Sequence, residues 1–96
     1  MSDVRVISSR NCELKPIVTA ALENESKIIS AGIKRTETRL KYFEVKYKLG
    51  SSEFLELYER DEMDENMDSA EWIGEIRIFE RLKEKLEMLK DIEIAN

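Results

Sequence analysis

Apolar residues return along most of this chain at steps of three, four and seven, the spacing of a helix that hides one face. Leu14, Val18, Leu22, Ile29, Ile33, Thr36, Leu40, Phe43 and Tyr47 form one such stripe. Pro16 is tolerated only near a helix start, where the backbone donor it lacks would have no partner, so the helix is expected to begin around Glu13 to Pro16. Gly50 offers the left-handed conformation that ends helices, and Lys41, Lys46 and Lys48 favour the negative end of the dipole. The pattern therefore predicts a long helix over 13–49. Ser51 and Ser52 offer capping oxygens to a short helix over 52–60, with Phe54, Leu57 and Tyr58 on one face.

From Asp61 to Asp68 five carboxylates occur without a base, which predicts a solvated connector over 61–68. Asp68 with Glu71 three residues on resembles a capping box. Trp72, Ile76, Phe79, Leu82, Leu86 and Leu89 then form a second stripe, predicting a third helix over 69–91. Residues 1–12, with Val4, Val6 and Ile7 among polar neighbours, read as a short strand or a mobile arm. Ile92 and Ile94 are expected to fray or to pair.

These elements give an all-α domain over 1–96, an antiparallel hairpin of two long helices with a short helix at the turn. Composition agrees, with 39% charged residues, 42% hydrophobic residues, 3 Gly and 1 Pro. Antiparallel packing sets the basic half of the first helix, Lys34 to Lys48, beside Glu71, Glu75 and Glu80. It also places Trp72 near Phe43 or Tyr47. A first helix of about 36 residues against a third of about 23 leaves roughly a dozen residues without a partner. Leu14, Ile17, Val18, Ala21 and Leu22 would stand exposed, so oligomerisation, most simply a homodimer, or a binding partner is expected to cover them, with the Val4 to Ile7 arm folding back over part of the strip as the alternative.

The formal net charge of -5 disfavours a general nucleic-acid or membrane-surface binder, which needs a cationic face. Nowhere do enough apolar residues follow one another to span a bilayer, and Met1 to Asn11 lacks the apolar run of a secretory signal, so a cytoplasmic protein is expected. There is no His, which removes Ser-His and Cys-His nucleophile pairs and histidine metal sites. Cys12 has no base to activate it. Gly32, Gly50 and Gly74 are too scattered to cradle a phosphate, and the acidic run lacks the glycine and closing glutamate of a calcium loop. Neither an enzyme nor a cofactor is implied. Gly32 and Gly74 lie inside helices, which points to close helix approach.

The run Phe43-Glu44-Val45-Lys46-Tyr47, followed by Ser51, Glu53 and Phe54, an acidic connector and Glu71-Trp72, resembles a family of small helical prokaryotic proteins. Members are often the antitoxin half of toxin–antitoxin pairs. The resemblance covers roughly Ala20 to Ile94. In that family the tyrosine matching Tyr47 is followed directly by glycine, whereas here Lys48 follows and Gly50 comes later. The resemblance carries over no catalytic residue. It implies a protein that binds and neutralises a toxin encoded nearby, such as a nuclease whose cationic groove an acidic chain could occupy.

The functional expectation is thus a non-enzymatic protein-interaction module, antitoxin-like, acting through Leu14, Ile17, Val18 and Leu22 together with Asp61, Glu62, Asp64 and Glu65. Two other readings remain open. One is a homo-oligomeric structural protein that consumes its own apolar face. The other is a nucleic-acid binder using Lys34 to Lys48, although those cations flank the apolar stripe instead of forming one outward face.

Overall fold

The computed structural model describes residues 11–92, with side chains from Leu14 onward. Three helices follow one another, α1 (Asn11–Tyr47), α2 (Ser51–Glu59) and α3 (Met67–Lys90), with no strand among the described residues. Of the arm expected over 1–12, Asn11 and Cys12 belong to α1, while residues 1–10 and Ile94 lie outside the described residues.

Periodicity placed the elements, and local backbone chemistry moved their ends. α1 starts at Asn11, so Pro16 sits in its second turn instead of at its start. The proline removes one bond, to the carbonyl four residues back, close to an end where the first donors lack partners anyway. At the other end the left-handed residue is Lys48, with φ 54°, whereas Gly50 has φ -70°. The Leu49 N–H donates to the Glu44 carbonyl at 3.2 Å, the closing bond of a Schellman turn. α2 ends the same way, with Asp61 at φ 59° and the Glu62 N–H donating to the Leu57 carbonyl at 2.8 Å.

Neither serine caps α2. Gly50 occupies the cap position without a side-chain bond, and the Glu44 carboxylate instead accepts from the Ser51 N–H at 2.9 Å. A carboxylate suits this place because the first amide groups of a helix carry partial positive charge. The α3 capping box is built from Asn66 and Ser69, not from Asp68 and Glu71. Asn66 Oδ1 accepts from the Ser69 N–H and Ser69 Oγ accepts from the Asn66 N–H, each at 2.8 Å.

α1 and α3 pack as the expected antiparallel pair, with α2 across the turn. Leu40 and Phe43 of α1, Phe54 of α2 and Trp72, Ile73 and Ile76 of α3 form the buried cluster. Trp72 and Phe54 are its largest fully buried side chains. Met63 packs against this cluster from the connector, so a stretch that reads as wholly solvated is anchored by one apolar residue. Burying each large side chain contributes about 1.5 to 3 kcal/mol, more than any exposed ion pair on the hairpin.

The register repeats by heptads. Lys46 meets Asp68, Arg39 meets Glu75, and Gly32 meets Leu82, so each backward step of seven on α1 matches a forward step of seven on α3. Gly32 marks the close approach, since Leu82 Cδ1 lies 3.2 Å from where a Cβ would stand. Gly74 does not, because a Cβ there would meet nothing within 4 Å. One more heptad brings Leu89 beside Glu25, and α3 ends a residue later. The first turns of α1 therefore extend past the end of α3.

Candidate functional site

Two regions hold the residues expected to bind a partner, and the hairpin sets them at opposite ends of a molecule 60 Å long. Leu14, Ile17, Val18 and Leu22 lie on the part of α1 beyond α3. Ile17 is 63% exposed, but Leu14, Val18 and Leu22 are half-buried, not bare as the length mismatch alone implies. Side chains three and four positions apart on one helix shade each other, which lowers the exposure of such a stripe. Asp61, Glu62, Asp64 and Glu65 are all exposed in the connector at the other end. Their one described ion pair is a loose contact between Arg60 and Glu62 at 3.9 Å. About 25 residues of helix, or about 37 Å, separate Leu22 from Tyr47 at the turn. Within one chain the two halves of the expected site do not meet.

The charged groups that do meet lie along the seam. Arg39 donates to Glu75 at 2.8 Å, and Lys46 donates to Asp68 Oδ2 at 2.6 Å. Tyr47 donates its hydroxyl to the same Asp68 oxygen. The Lys46 and Tyr47 hydrogen bonds hold the Asp68 carboxyl below its ordinary range. In return the bond to Asp68 raises the pKa of Lys46 and of Tyr47, and Arg39 is raised by its bond to Glu75. Among the six cations from Lys34 to Lys48, Arg39 and Lys46 are thus bound to carboxylates of α3. Glu71 adds only a longer-range attraction on Arg39. The basic run borders a packing seam, as its positions on the helical wheel imply.

The aromatic side chains at the turn are mostly core. Trp72 stacks on Phe54, Phe43 and Tyr47, and its indole N–H donates to Ser51 Oγ at 2.9 Å. Among the described residues no three Cys, Asp or Glu side chains are grouped to hold a metal ion. No helix among them is long and apolar enough to cross a membrane. A shallow groove runs along the α1–α3 seam, where Ile28 and Arg35 face Ile78 and Lys85. Sequence reasoning passed over this groove because Ile28 and Ile78 fall outside both core stripes. Compared with known proteins, the chain matches no family model, no curated protein and no solved structure.

Proposed function

We propose that this chain is a non-enzymatic protein-interaction module, an antitoxin-like protein that binds and neutralises a toxin encoded nearby. The observation that carries the reading is the continuation of the α1 core stripe, through Leu22, Val18 and Leu14, past the point where α3 ends. A helix face that keeps its apolar pattern beyond the reach of α3 is a ready groove-filling element for another protein. The exposed carboxylates Asp61, Glu62, Asp64 and Glu65 supply a second element. They would steer the chain toward a cationic surface and speed encounter, while the apolar residues would govern how long the complex lasts.

Co-expression with the product of the adjacent gene tests this reading, scoring cell growth and co-purification. Growth rescue and a stable complex are expected. Val18→Asp with Leu22→Asp should shorten the lifetime of that complex about 100-fold or more. Changing the four carboxylates to amides should slow association, most at low salt. A chain that forms no complex with any neighbouring product, or that binds nucleic acid tightly by itself, would overturn the proposal.

A further inference from the structure

A cleft opens where α2 meets α1 and α3. Its volume is about 540 Å³, within the range of ligand pockets, and all three helices line it. Leu40, Leu55, Ile76 and Phe79 supply its apolar surface, with Leu40 and Ile76 buried and Leu55 and Phe79 half-buried. Around them stand Glu37 of α1, Glu53 of α2 and Glu80 of α3, all exposed. Each helix thus places one carboxylate at the cleft, and none of the three belongs to an ion pair among the described residues.

The chemistry of the cleft selects its occupant. The anion-favouring end of α2 is already answered, because the Glu44 carboxylate accepts from the Ser51 N–H beside the partial positive charge of the first amides. What the lining leaves open favours a cation. The Lys83 ammonium lies over the Phe79 ring, 4.5 Å from its centre, and Lys83 has no ion pair among the described residues. Phe79 therefore presents a face that accepts a cation, held by a flexible surface side chain that a partner's Lys or Arg can displace.

The wider surroundings carry the same sign. From Ser51 to Asp68, the stretch that forms α2 and the connector, Arg60 is the only base among eight carboxylates. A nucleic acid or an anionic lipid surface is repelled there, whereas a cationic protein surface is drawn in.

We infer that this cleft seats an apolar side chain from a basic amphipathic helix of the partner protein, with the Lys or Arg residues flanking that side chain set against Glu37, Glu53 and Glu80. The inference rests on the protein-interaction reading above and supplies what that reading lacks. The overhang and the acidic connector lie at opposite ends of the hairpin, but α2 leads from the cleft at Leu55 to the connector at Asp61 over six residues, roughly 9 Å. One partner surface of ordinary size can therefore reach the cleft and the connector together.

A fluorescently labelled peptide of lysine and leucine at amphipathic helical spacing is the probe. Two controls accompany it, one with glutamate in place of lysine and one with serine in place of leucine. In anisotropy titrations the full chain should bind the lysine and leucine peptide and neither control. The amide resonances of Ser52, Glu53, Leu55 and Phe79 should move more than those of Asp61 to Glu65. Glu37→Gln with Glu53→Gln and Glu80→Gln should weaken binding about 10-fold, more than amides placed at Asp61, Glu62 and Asp64. Lys83→Met should tighten it about 3-fold, because the change frees the Phe79 face and removes a like charge. These four side chains are exposed, so helical circular dichroism should be retained. Binding of either control peptide, resonance shifts confined to the connector, or cleft variants of unchanged affinity would overturn the inference. A chain that binds the peptide in the cleft but captures no neighbouring product would sink the antitoxin reading and leave the cleft standing. A neighbouring product held equally well by the glutamine variant would do the reverse.

Discussion

The indole of Trp72 lies flat on the ring of Phe54, with centroids 3.9 Å apart and planes within 2° of each other. This contact joins α2 to α3, and the Trp72 N–H adds a bond to Ser51 at the first residue of α2. One side chain thus holds the short helix across the turn while stacking on Phe43 and Tyr47 of α1. Trp72→Ala should cost about 3 to 5 kcal/mol in urea unfolding followed by circular dichroism. Ser51→Ala should cost about 1 to 3 kcal/mol, because it leaves the indole donor without its acceptor. Fluorescence of the folded protein should be blue-shifted, and an emission maximum typical of indole in water would contradict the buried stack.

Lys48 and Asp61 hold left-handed backbone conformations without being glycine. An L-residue there bears about 1 to 2 kcal/mol of steric cost that glycine avoids, offset in part by the greater freedom of glycine in the unfolded chain. Lys48→Gly and Asp61→Gly should each raise stability by about 0.5 to 1 kcal/mol in denaturant titrations. Gly50→Ala, by contrast, meets no backbone objection, since Gly50 has φ -70°.

The two helical glycines should respond differently to alanine. At Gly74 a new methyl meets nothing within 4 Å, so Gly74→Ala should stabilise by about 1 kcal/mol through helix propensity alone. At Gly32 the methyl would press on Leu82 at 3.2 Å, and the same gain is offset by the shift that Leu82 must make. Thermal melts of the two variants should separate, with Gly74→Ala the more stable.

Stability should show two pH limbs that trace to the Lys46, Tyr47 and Asp68 cluster. Asp68 is held below its ordinary 3.8, so its contribution is complete above that value and is lost as pH falls through the lower folded one. Lys46 and Tyr47 are raised above 10.5 and 10.0, so theirs is complete below those values and is lost as pH climbs through the raised ones. Asp68→Asn should flatten both limbs in urea midpoints measured across the pH range. If the variant left the acid limb unchanged, the carboxylate would not be the group responsible.

Three helices, their order, and most of the residues that face inward were legible in the chain, because burying one face of a helix imposes a period that residue types alone report, although Ile73, buried beside Trp72, falls outside the spacing of its stripe. Ile29, Leu40, Phe43, Trp72 and Ile76 lie inside as their spacing requires, and the antiparallel hairpin follows from two long stripes joined by a short segment. The ends were less legible. Whether Lys48 or Gly50 turns left-handed, or whether Asn66 or Asp68 caps α3, depends on which backbone carbonyls and amides remain free once the packed length is set. Propensity ranks the candidates without choosing among them.

Tertiary structure alone decided how the charges and the surfaces are distributed. The heptad register that pairs Lys46 with Asp68 and Arg39 with Glu75 exists only between two helices, so sequence could name the basic half of α1 but not its partners. The exposed surface implied by spacing was incomplete for the same reason. Leu14, Val18 and Leu22 were expected to be bare and are half-buried, while Ile28 and Ile78 share a groove although they lie far apart in the chain. A stripe's period is a property of one helix, but whether it is covered is a property of everything packed around it.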